Sequence, residues 1–192
     1  LLAKLLIARS ARSEAAALLQ SAALIARRAK LPVVHAQARI ELADLALESE
    51  AATALGVRLA RAYDAQADAH DQLLRRVLTP AAKFWVCKRG AHFAQEAMEA
   101  IGGNGYVEES VLARIYCEMP LNSIWEGAGN VMCLDVLRAL RKQDVVDAVV
   151  TELDTAKGSH AAYDHFCVSL RDRLANANEF ESAARRLTQD IA

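Results

Sequence analysis

Apolar residues recur along most of the chain at intervals of three and four positions, which is the repeat of an amphipathic helix. Four long segments carry this repeat: 2–29, 33–78, 80–101 and 127–141. Shorter helical segments follow at about 143–157, 159–175 and 178–191. No β-branched run alternates with a period of two residues, so the pattern predicts helices and no sheet.

Glycines and prolines mark the predicted helix boundaries. Pro32 disfavours helix at the residue before it, and Thr79-Pro80 is typical of an N-cap followed by a first helical residue. The glycines of 102–105 predict a helix end, because glycine adopts the left-handed cap conformation without penalty. Pro120 predicts a break, and the aspartates of 64–71 predict a bend or loop within 33–78.

The composition agrees with this pattern. The chain of 192 residues holds 40 Ala and 25 Leu against 8 Gly and 3 Pro, so strong helix formers dominate. The sequence therefore predicts an all-α fold, an up-and-down four-helix bundle with a shorter helical C-terminal extension. The corresponding domains are a bundle over 1–141 and an extension over 142–192.

Charge and cysteine usage exclude several classes of protein. With 23 basic and 24 acidic residues the net charge is −1, so the chain as a whole is not a polycation for nucleic acid. The longest run without charge, Ala15 to Ala26, is shorter than the roughly 20 apolar residues of a membrane span, so no membrane association is expected. Neither the four cysteines nor the five histidines show metal-ligand spacing, and no metal site is predicted. Free thiols favour a cytoplasmic protein.

A glycine-rich stretch over 101–106 is the first candidate for chemistry. Its spacing is not GxGxxG, and it follows a helix rather than a strand, so a dinucleotide-binding Rossmann motif is excluded. Two interpretations remain open. The glycines end a helix, or they leave backbone amides open to an anionic or planar ligand.

A second candidate is the stretch 122–130. Ser123 and Glu126 have the S-x-x-E spacing of a capping box, which is a purely structural role. The alternative is chemical: Gly127 and Gly129 are poor choices for a first helical turn unless the backbone approaches something closely. Trp125 beside Glu126 would desolvate the carboxylate and raise its pKa toward that of a general base.

Together the two stretches resemble a known family. "AMEAIGGNGYVEES", followed some twenty residues later by "NSIWEGAGNVMCLDVLRAL", is similar to the C-terminal helical domain of the FAD-dependent acyl-CoA dehydrogenases, nearest to their AidB, or alkylation-response, branch. The resemblance is strong over about 37–141 and weaker before it. It implies a flavoenzyme that oxidises an acyl-CoA thioester, with Glu126 as the base that removes the α-proton.

The resemblance also implies residues that contact FAD. The turn formed by Glu99, Ala100, Ile101, Gly102 and Gly103 is similar to the segment that meets the adenosine-diphosphate part of FAD from a neighbouring subunit. A segment after the base is similar to one that touches the same cofactor: Ala128, Gly129 and Asn130. The family pattern further implies a homo-oligomer, a dimer or a tetramer.

The chain departs from the family in several places and leaves alternatives open. Many members have Gln where Glu99 stands, and Thr and Gln where Ala128 and Asn130 stand. The family's Arg-x-x-Phe-Gly flavin motif should precede Pro32, where the chain reads Arg27-Arg28-Ala-Lys-Leu without Phe-Gly. We therefore expect activity to need domains outside this chain. The AidB resemblance leaves open a damage-response protein that binds duplex DNA and has little dehydrogenase activity. A structural oligomerisation domain is the third alternative.

Overall fold

The computed structural model describes residues 32–175 and 183–192, together with the single positions Gln20, Leu24, Arg27 and Arg28. Within this part the regular structure is helical and no strand occurs, so the all-α prediction is confirmed. The predicted helix 2–29 lies outside the described residues apart from those four positions.

Eight helices lie in the described part of the chain: α1 (Pro32–Ala62), α2 (Ala69–Ile101), α3 (Gly103–Tyr106), α4 (Val111–Asn122), α5 (Gly129–Leu140), α6 (Gln143–Asp154), α7 (Ala161–Ala175) and α8 (Ala184–Ile191). None of these described helices is both long and apolar enough to cross a lipid bilayer.

The bend expected among the aspartates separates α1 from α2. Helix α1 ends at Ala62, and α2 begins at Ala69 after a short irregular segment. The Asp68 carboxylate accepts a hydrogen bond from the backbone N–H of Asp71 at 2.8 Å, which satisfies one of the unpaired donors of the first turn. Asp68 therefore caps α2, and the segment predicted over 33–78 is two helices.

The boundary predicted at Thr79-Pro80 is wrong, because Pro80 lies inside α2. The Thr79 hydroxyl does not cap a new helix but donates to the carbonyl of Arg75, one turn earlier, at 2.6 Å. Packing overrides the local signal, since one buried stripe continues on both sides of the proline. Its fully or almost fully buried members are Leu74, Val77, Ala81 and Phe84.

The break predicted at Pro120 is also wrong. Helix α4 runs through Pro120 and ends only at Asn122. The proline therefore sits in the last turn, where its missing N–H removes a single hydrogen bond to the residue four positions earlier. A proline so close to the end of a helix interrupts too little of the hydrogen-bond ladder to stop it.

The chain divides into two compact units, each with its own core. Of the described residues, those of 32–54 and 89–122 belong to unit 1, and those of 55–88, 123–175 and 183–192 belong to unit 2. In unit 1, Ala97, Met98 and Leu112 form a small buried cluster between α2 and α4. In unit 2, α5 packs against α6 and α8, and α7 packs against the same two helices. The largest fully buried side chains of unit 2 are Leu74, Val77, Val136, Val145, Leu170, Cys133 and Thr188.

Candidate active site around Glu126

Glu126 lies in unit 2, in the turn that leads into α5, and its backbone is strained. Among the described non-glycine residues, Glu126 alone has a positive φ, which is 54°. The left-handed conformation costs an L-residue roughly 1–2 kcal/mol. Such a residue persists only where its surroundings hold it, and strained residues cluster at functional sites.

The capping box predicted for Ser123 and Glu126 is wrong. Helix α5 begins at Gly129, and its N-cap residue is Ala128, which provides no side-chain hydrogen bond to the first turn. The glutamate is thus three residues before the helix instead of inside its first turn. A structural role as the N3 member of the box is removed, and the Glu126 side chain is free to act elsewhere.

Two glycines of this turn lie close to side chains of unit 2, and the positive φ of Gly127 favours glycine there. Gly127 has a φ of 112°, and a Cβ there would meet Cε of Met132 at 2.3 Å. A Cβ on Gly129 would meet Cε of Lys88 at 2.9 Å and the ring of Phe84 at 3.4 Å. The backbone approach expected from these glycines is therefore real, and its partners are side chains of α2 and α5.

Lys83 of α2 binds the backbone of the Glu126 turn. Its Nζ donates to the carbonyl oxygen of Trp125 at 2.8 Å and to that of Gly127 at 2.5 Å. These two carbonyls stand immediately before and after Glu126. A hydrogen bond from a charged donor contributes about 1.5–3 kcal/mol, which is enough to offset the conformational cost of the left-handed residue.

Glu126 lines an open cavity in unit 2 that is rich in cations. The cavity has a volume of about 810 Å³. Besides Glu126, its charged lining residues are Arg75, Arg76, Lys83, Asp135, Lys142 and Asp144. Arg76 is paired with Asp135, with N–O distances of 3.1 and 3.2 Å. The cavity is thus lined by four cations and three carboxylates, and Glu126 is the carboxylate that stands on the strained turn.

The burial predicted for Glu126 is not found in this chain. The Glu126 side chain is exposed, and Trp125 beside it is 47% exposed. An indole that points half into water does not desolvate a neighbouring carboxylate, so this part of the prediction is wrong. The two side chains share a turn, but Trp125 leaves the carboxylate in contact with solvent.

The predicted cofactor turn Glu99–Gly103 lies in unit 1. Helix α2 ends at Ile101 as predicted, and Gly102 follows with φ 72° and ψ −152°, a conformation open essentially to glycine alone. The Gly102 N–H donates to the Glu99 carbonyl at 2.9 Å and closes the last turn. The Glu99 carboxylate accepts a hydrogen bond from Gln95 at 2.9 Å.

The glycines of this turn differ in how much space surrounds them, and this space tests whether a ligand can approach the backbone closely. A Cβ on Gly105 would lie 2.4 Å from the backbone oxygen of Met98, so close packing accounts for that glycine. A Cβ on Gly103 would meet nothing within 4 Å, and its φ is not positive. Neither strain nor packing against the described residues demands glycine at 103, which is exposed. Such an open backbone fits the close approach of a ligand such as the diphosphate of FAD.

The second predicted cofactor segment, Ala128–Asn130, lies in unit 2 at the start of α5. Ala128 and Asn130 are exposed, whereas Gly129 is buried against α2. Ala128 and Asn130 are therefore accessible to a ligand. Gly129 is not accessible, because it packs against α2.

Four cations of the site were missed from the sequence: Arg75, Arg76, Lys83 and Lys142. The arginines read as an ordinary solvated pair on a helix. Lys83 had one signal, because it is the single charge in the otherwise apolar run Pro80–Cys87. A lone cation within a buried helical face needs an acceptor, but the sequence does not show which one.

Comparison with known proteins identifies the family. The family model for the C-terminal domain of acyl-CoA dehydrogenases matches residues 3–141. The Escherichia coli protein AidB is 49% identical over 151 residues, which are 78% of this chain and 28% of AidB. Acyl-CoA dehydrogenase family member 11 of Caenorhabditis elegans is 28% identical over 164 residues, covering 74% of this chain and 26% of the relative. The chain thus spans about a quarter of the length of these relatives.

Solved structures show the same fold. Bd2924 in its apo form matches with a TM-score of 0.67 at 26% identity, over 92% of this chain and 37% of that one. The Caenorhabditis elegans protein ACDH-11, solved in complex with C11-CoA, matches with a TM-score of 0.70 at 20% identity, over 93% and 35% of the two chains. Because the family model covers most of the chain, the protein belongs to the acyl-CoA dehydrogenase family, within which this chain is the C-terminal helical domain.

Proposed function

We propose that this chain is part of a flavin-dependent enzyme that removes the α-proton and the β-hydride of an acyl-CoA thioester. One observation carries the proposal: Glu126 is the described non-glycine residue held in a left-handed conformation, and it lines a cavity that also holds Arg75 and Lys142. A base of that kind suits abstraction of a weakly acidic proton. The cations suit a substrate that carries phosphates.

Glu126 contributes two groups to the proposed reaction. Its carboxylate takes the α-proton, whose acidity depends on how well the developing enolate oxygen is stabilised. Its backbone N–H is the proposed donor to that oxygen, and a fixed donor of this type typically contributes about 10²–10³ in rate. A backbone held at one φ value keeps the N–H pointing in a single direction, because nothing has to reorganise during the reaction.

The residues of two segments are the proposed holders of FAD. Glu99–Gly103 would meet the adenosine-diphosphate part, where Gly103 leaves an open backbone edge. Ala128 and Asn130 would meet the cofactor next to the base. When bound, FAD supplies the acceptor for the β-hydride. In this proposal the cofactor contact at Glu99–Gly103 comes from a neighbouring copy, so the working protein is a homo-oligomer.

The C-terminal residues bear on the alternative of a duplex DNA partner. Of the four described arginines there, Arg171 is paired with Asp154, Arg173 and Arg186 are both paired with Asp190 at 3.3 Å, and Arg185 lies over the ring of Phe84 at 5.7 Å. Binding to phosphates would have to break these pairs, because affinity for DNA grows with the number of cations that neutralise phosphates. The pairing therefore reduces the number of unpaired cations that this segment offers to phosphates, which is the observation against the DNA-binding alternative.

The test uses the intact protein that contains this chain. We expect it to be purified with bound FAD and to lose the visible absorption of oxidised flavin when an acyl-CoA is added without oxygen. A series of acyl-CoA thioesters of increasing chain length identifies the substrate. If no acyl-CoA bleaches the flavin while a salt-sensitive gel shift with duplex DNA appears, the DNA-binding alternative replaces the proposal.

A further inference from the structure

Lys83 makes two contacts that point to a role in the Glu126 turn. Its Nζ donates to the carbonyl oxygen of Trp125 at 2.8 Å and to that of Gly127 at 2.5 Å, across more than forty residues of sequence. We propose that Lys83 is a positioning residue that fixes the Glu126 turn and polarises its peptide groups. The catalytic meaning of this role rests on the function proposed above.

The base of the Lys83 side chain is rigidly placed. Its sequence neighbours Ala82 and Phe84 are buried, and Ala81, two residues before Lys83, is fully buried. The Lys83 Cα therefore cannot shift without disturbing the core of unit 2. A lysine ammonium carries three donors, so a single side chain can bind two carbonyls at once. The anchored cation thus spans the turn from one fixed point.

The two hydrogen bonds from Lys83 go to the carbonyl groups on either side of the strained residue, Glu126. Glu126 has a φ of 54°, and the carbonyls that Lys83 binds belong to the residues directly before and after it. Tethering both flanking carbonyls to one cation restrains the peptide groups around Glu126. Without the ammonium those oxygens would have to find other donors, and the turn would be able to relax toward an ordinary conformation.

The contact with Trp125 also acts on the proposed oxyanion donor. The Trp125 carbonyl and the Glu126 N–H belong to the same peptide group. A cation at the oxygen draws electron density away from the nitrogen and makes the N–H a stronger donor, as in any polarised chain of hydrogen bonds. Lys83 therefore couples the position and the donor strength of Glu126 without touching the substrate carbonyl itself.

The first experiment measures the turn directly and does not depend on any activity. Hydrogen exchange of the peptide covering 123–130 is followed by mass spectrometry in the intact protein, the Lys83→Met variant and the control Lys157→Met. Lys157 is exposed in the same unit. We expect at least about tenfold faster exchange in Lys83→Met and no change in the control. Equal exchange in all three proteins overturns the proposal.

The second experiment measures the chemistry. Exchange of the α-protons of a bound acyl-CoA into D₂O is compared between the same proteins, together with the affinity for the acyl-CoA. Complete loss of a preorganised donor costs about 10²–10³ in rate, so loosening and weakening the Glu126 N–H in Lys83→Met predicts slower exchange by up to roughly 10²-fold, with acyl-CoA binding changed little. A Lys83→Met protein that exchanges α-protons at the unaltered rate overturns the catalytic part of the proposal.

The outcomes separate the two levels of inference. If the unaltered protein exchanges no α-proton from any acyl-CoA, the proposed function fails, whereas the hydrogen-exchange result still decides the role of Lys83 in the turn. If Lys83→Met does not fold, Lys83→Gln takes its place, because it keeps an N–H donor and removes the charge. Lys83→Arg keeps the charge, and we expect it to restore part of the protection.

Discussion

Glu126 shows how much a single residue can reveal when its backbone is strained. Its side chain is exposed, so burial does not mark it, and no hydrogen bond joins its carboxylate to another described residue. What distinguishes it is the φ of 54° between the two carbonyls held by Lys83. A conformation that costs free energy and serves no packing purpose at that side chain is the observation on which the proposed role of Glu126 rests.

Replacing Glu126 by Gln tests whether Glu126 acts as the proposed base or has only a structural role. We expect Glu126→Gln in the intact protein to keep FAD and to lose flavin reduction by acyl-CoA by about 10²–10⁴-fold or more, because an amide cannot accept the α-proton. Stopped-flow absorbance of the flavin measures the rate. The control is Glu109→Gln, an exposed glutamate of unit 1. Rapid bleaching in Glu126→Gln would assign the base to another residue.

At the scale of the elements, each helix end was predicted well where its cause is local. The end of α2 at Ile101 follows from the glycine after it, and the start of α2 follows from the aspartates before it. The prediction failed at Pro80 because of a non-local cause, the packing of the buried stripe. It failed at Pro120 because a proline in the last turn removes only one hydrogen bond. Lys83 was missed because its acceptors lie more than forty residues away, and no spacing in the sequence encodes that contact.

The same limit applies to the candidate site. The sequence motif located Glu126 and its glycines but suggested a capping box, because S-x-x-E spacing is satisfied equally by a turn that stops short of the helix. It also overestimated the effect of Trp125, since adjacency in sequence says nothing about which way an indole points. The assignment of residues 142–192 to a separate extension stays a prediction.

The turn after α2 provides a matched pair of glycine variants. Gly105→Ala should destabilise the protein by about 1–3 kcal/mol, because the new Cβ meets the backbone oxygen of Met98 at 2.4 Å. Gly103→Ala should change stability by less than about 1 kcal/mol, since its Cβ meets nothing within 4 Å. If the turn approaches FAD, Gly103→Ala weakens FAD binding despite its intact fold. Thermal unfolding and FAD titration measure the two effects, and unchanged affinity for FAD would count against the cofactor site.

At the scale of the whole molecule, a charged network joins three helices of unit 2. Arg58 of α1 binds Glu152 of α6 through two nitrogens and Asp71 of α2 at 2.8 Å. His70 of α2 also contacts Glu152, at 3.0 Å. The hydrogen bonds from Arg58 lower the pKa of Glu152, against the opposing effect of burial, and those to Glu152 raise the pKa of Arg58.

This network predicts an acid-dependent loss of stability. Because the pKa of Glu152 is lower in the folded than in the unfolded state, the unfolded state binds more protons as the pH falls below about 4.3. The stabilisation from Glu152 is therefore complete above that pH and is lost as the pH falls through the folded-state value. We expect Glu152→Gln to unfold at a lower temperature at neutral pH and to show a weaker acid dependence.

The surface pair Arg114–Glu118 is the matched control for this prediction. Its charges lie 3.0 Å apart and both side chains are mostly exposed, so Glu118→Gln should change the unfolding temperature very little. Calorimetric scans of the three proteins between neutral and acidic pH make the comparison. An acid dependence that is identical in Glu152→Gln and the unaltered protein would contradict the assignment.

The exposed apolar residues of unit 1 predict self-association. Large apolar side chains remain exposed there, with Tyr106 74% exposed and others beside it in sequence: Val107, Val111, Tyr116 and Leu121. Apolar surface of this kind usually marks an interface. We expect the intact protein to be a dimer or tetramer by light scattering. A monomer at micromolar concentration would contradict the proposed contribution of a second copy to the cofactor site.

The left-handed backbone at Glu126 has a consequence for how this protein can be engineered. Glycine adopts that conformation freely, so Glu126→Gly should stabilise the protein, by about 1 kcal/mol, while removing the proposed base. Thermal scans should place its midpoint above that of the unaltered protein, and a lower midpoint would show that the turn carries no strain. A library screened only for heat resistance would therefore enrich an inactive variant at this position.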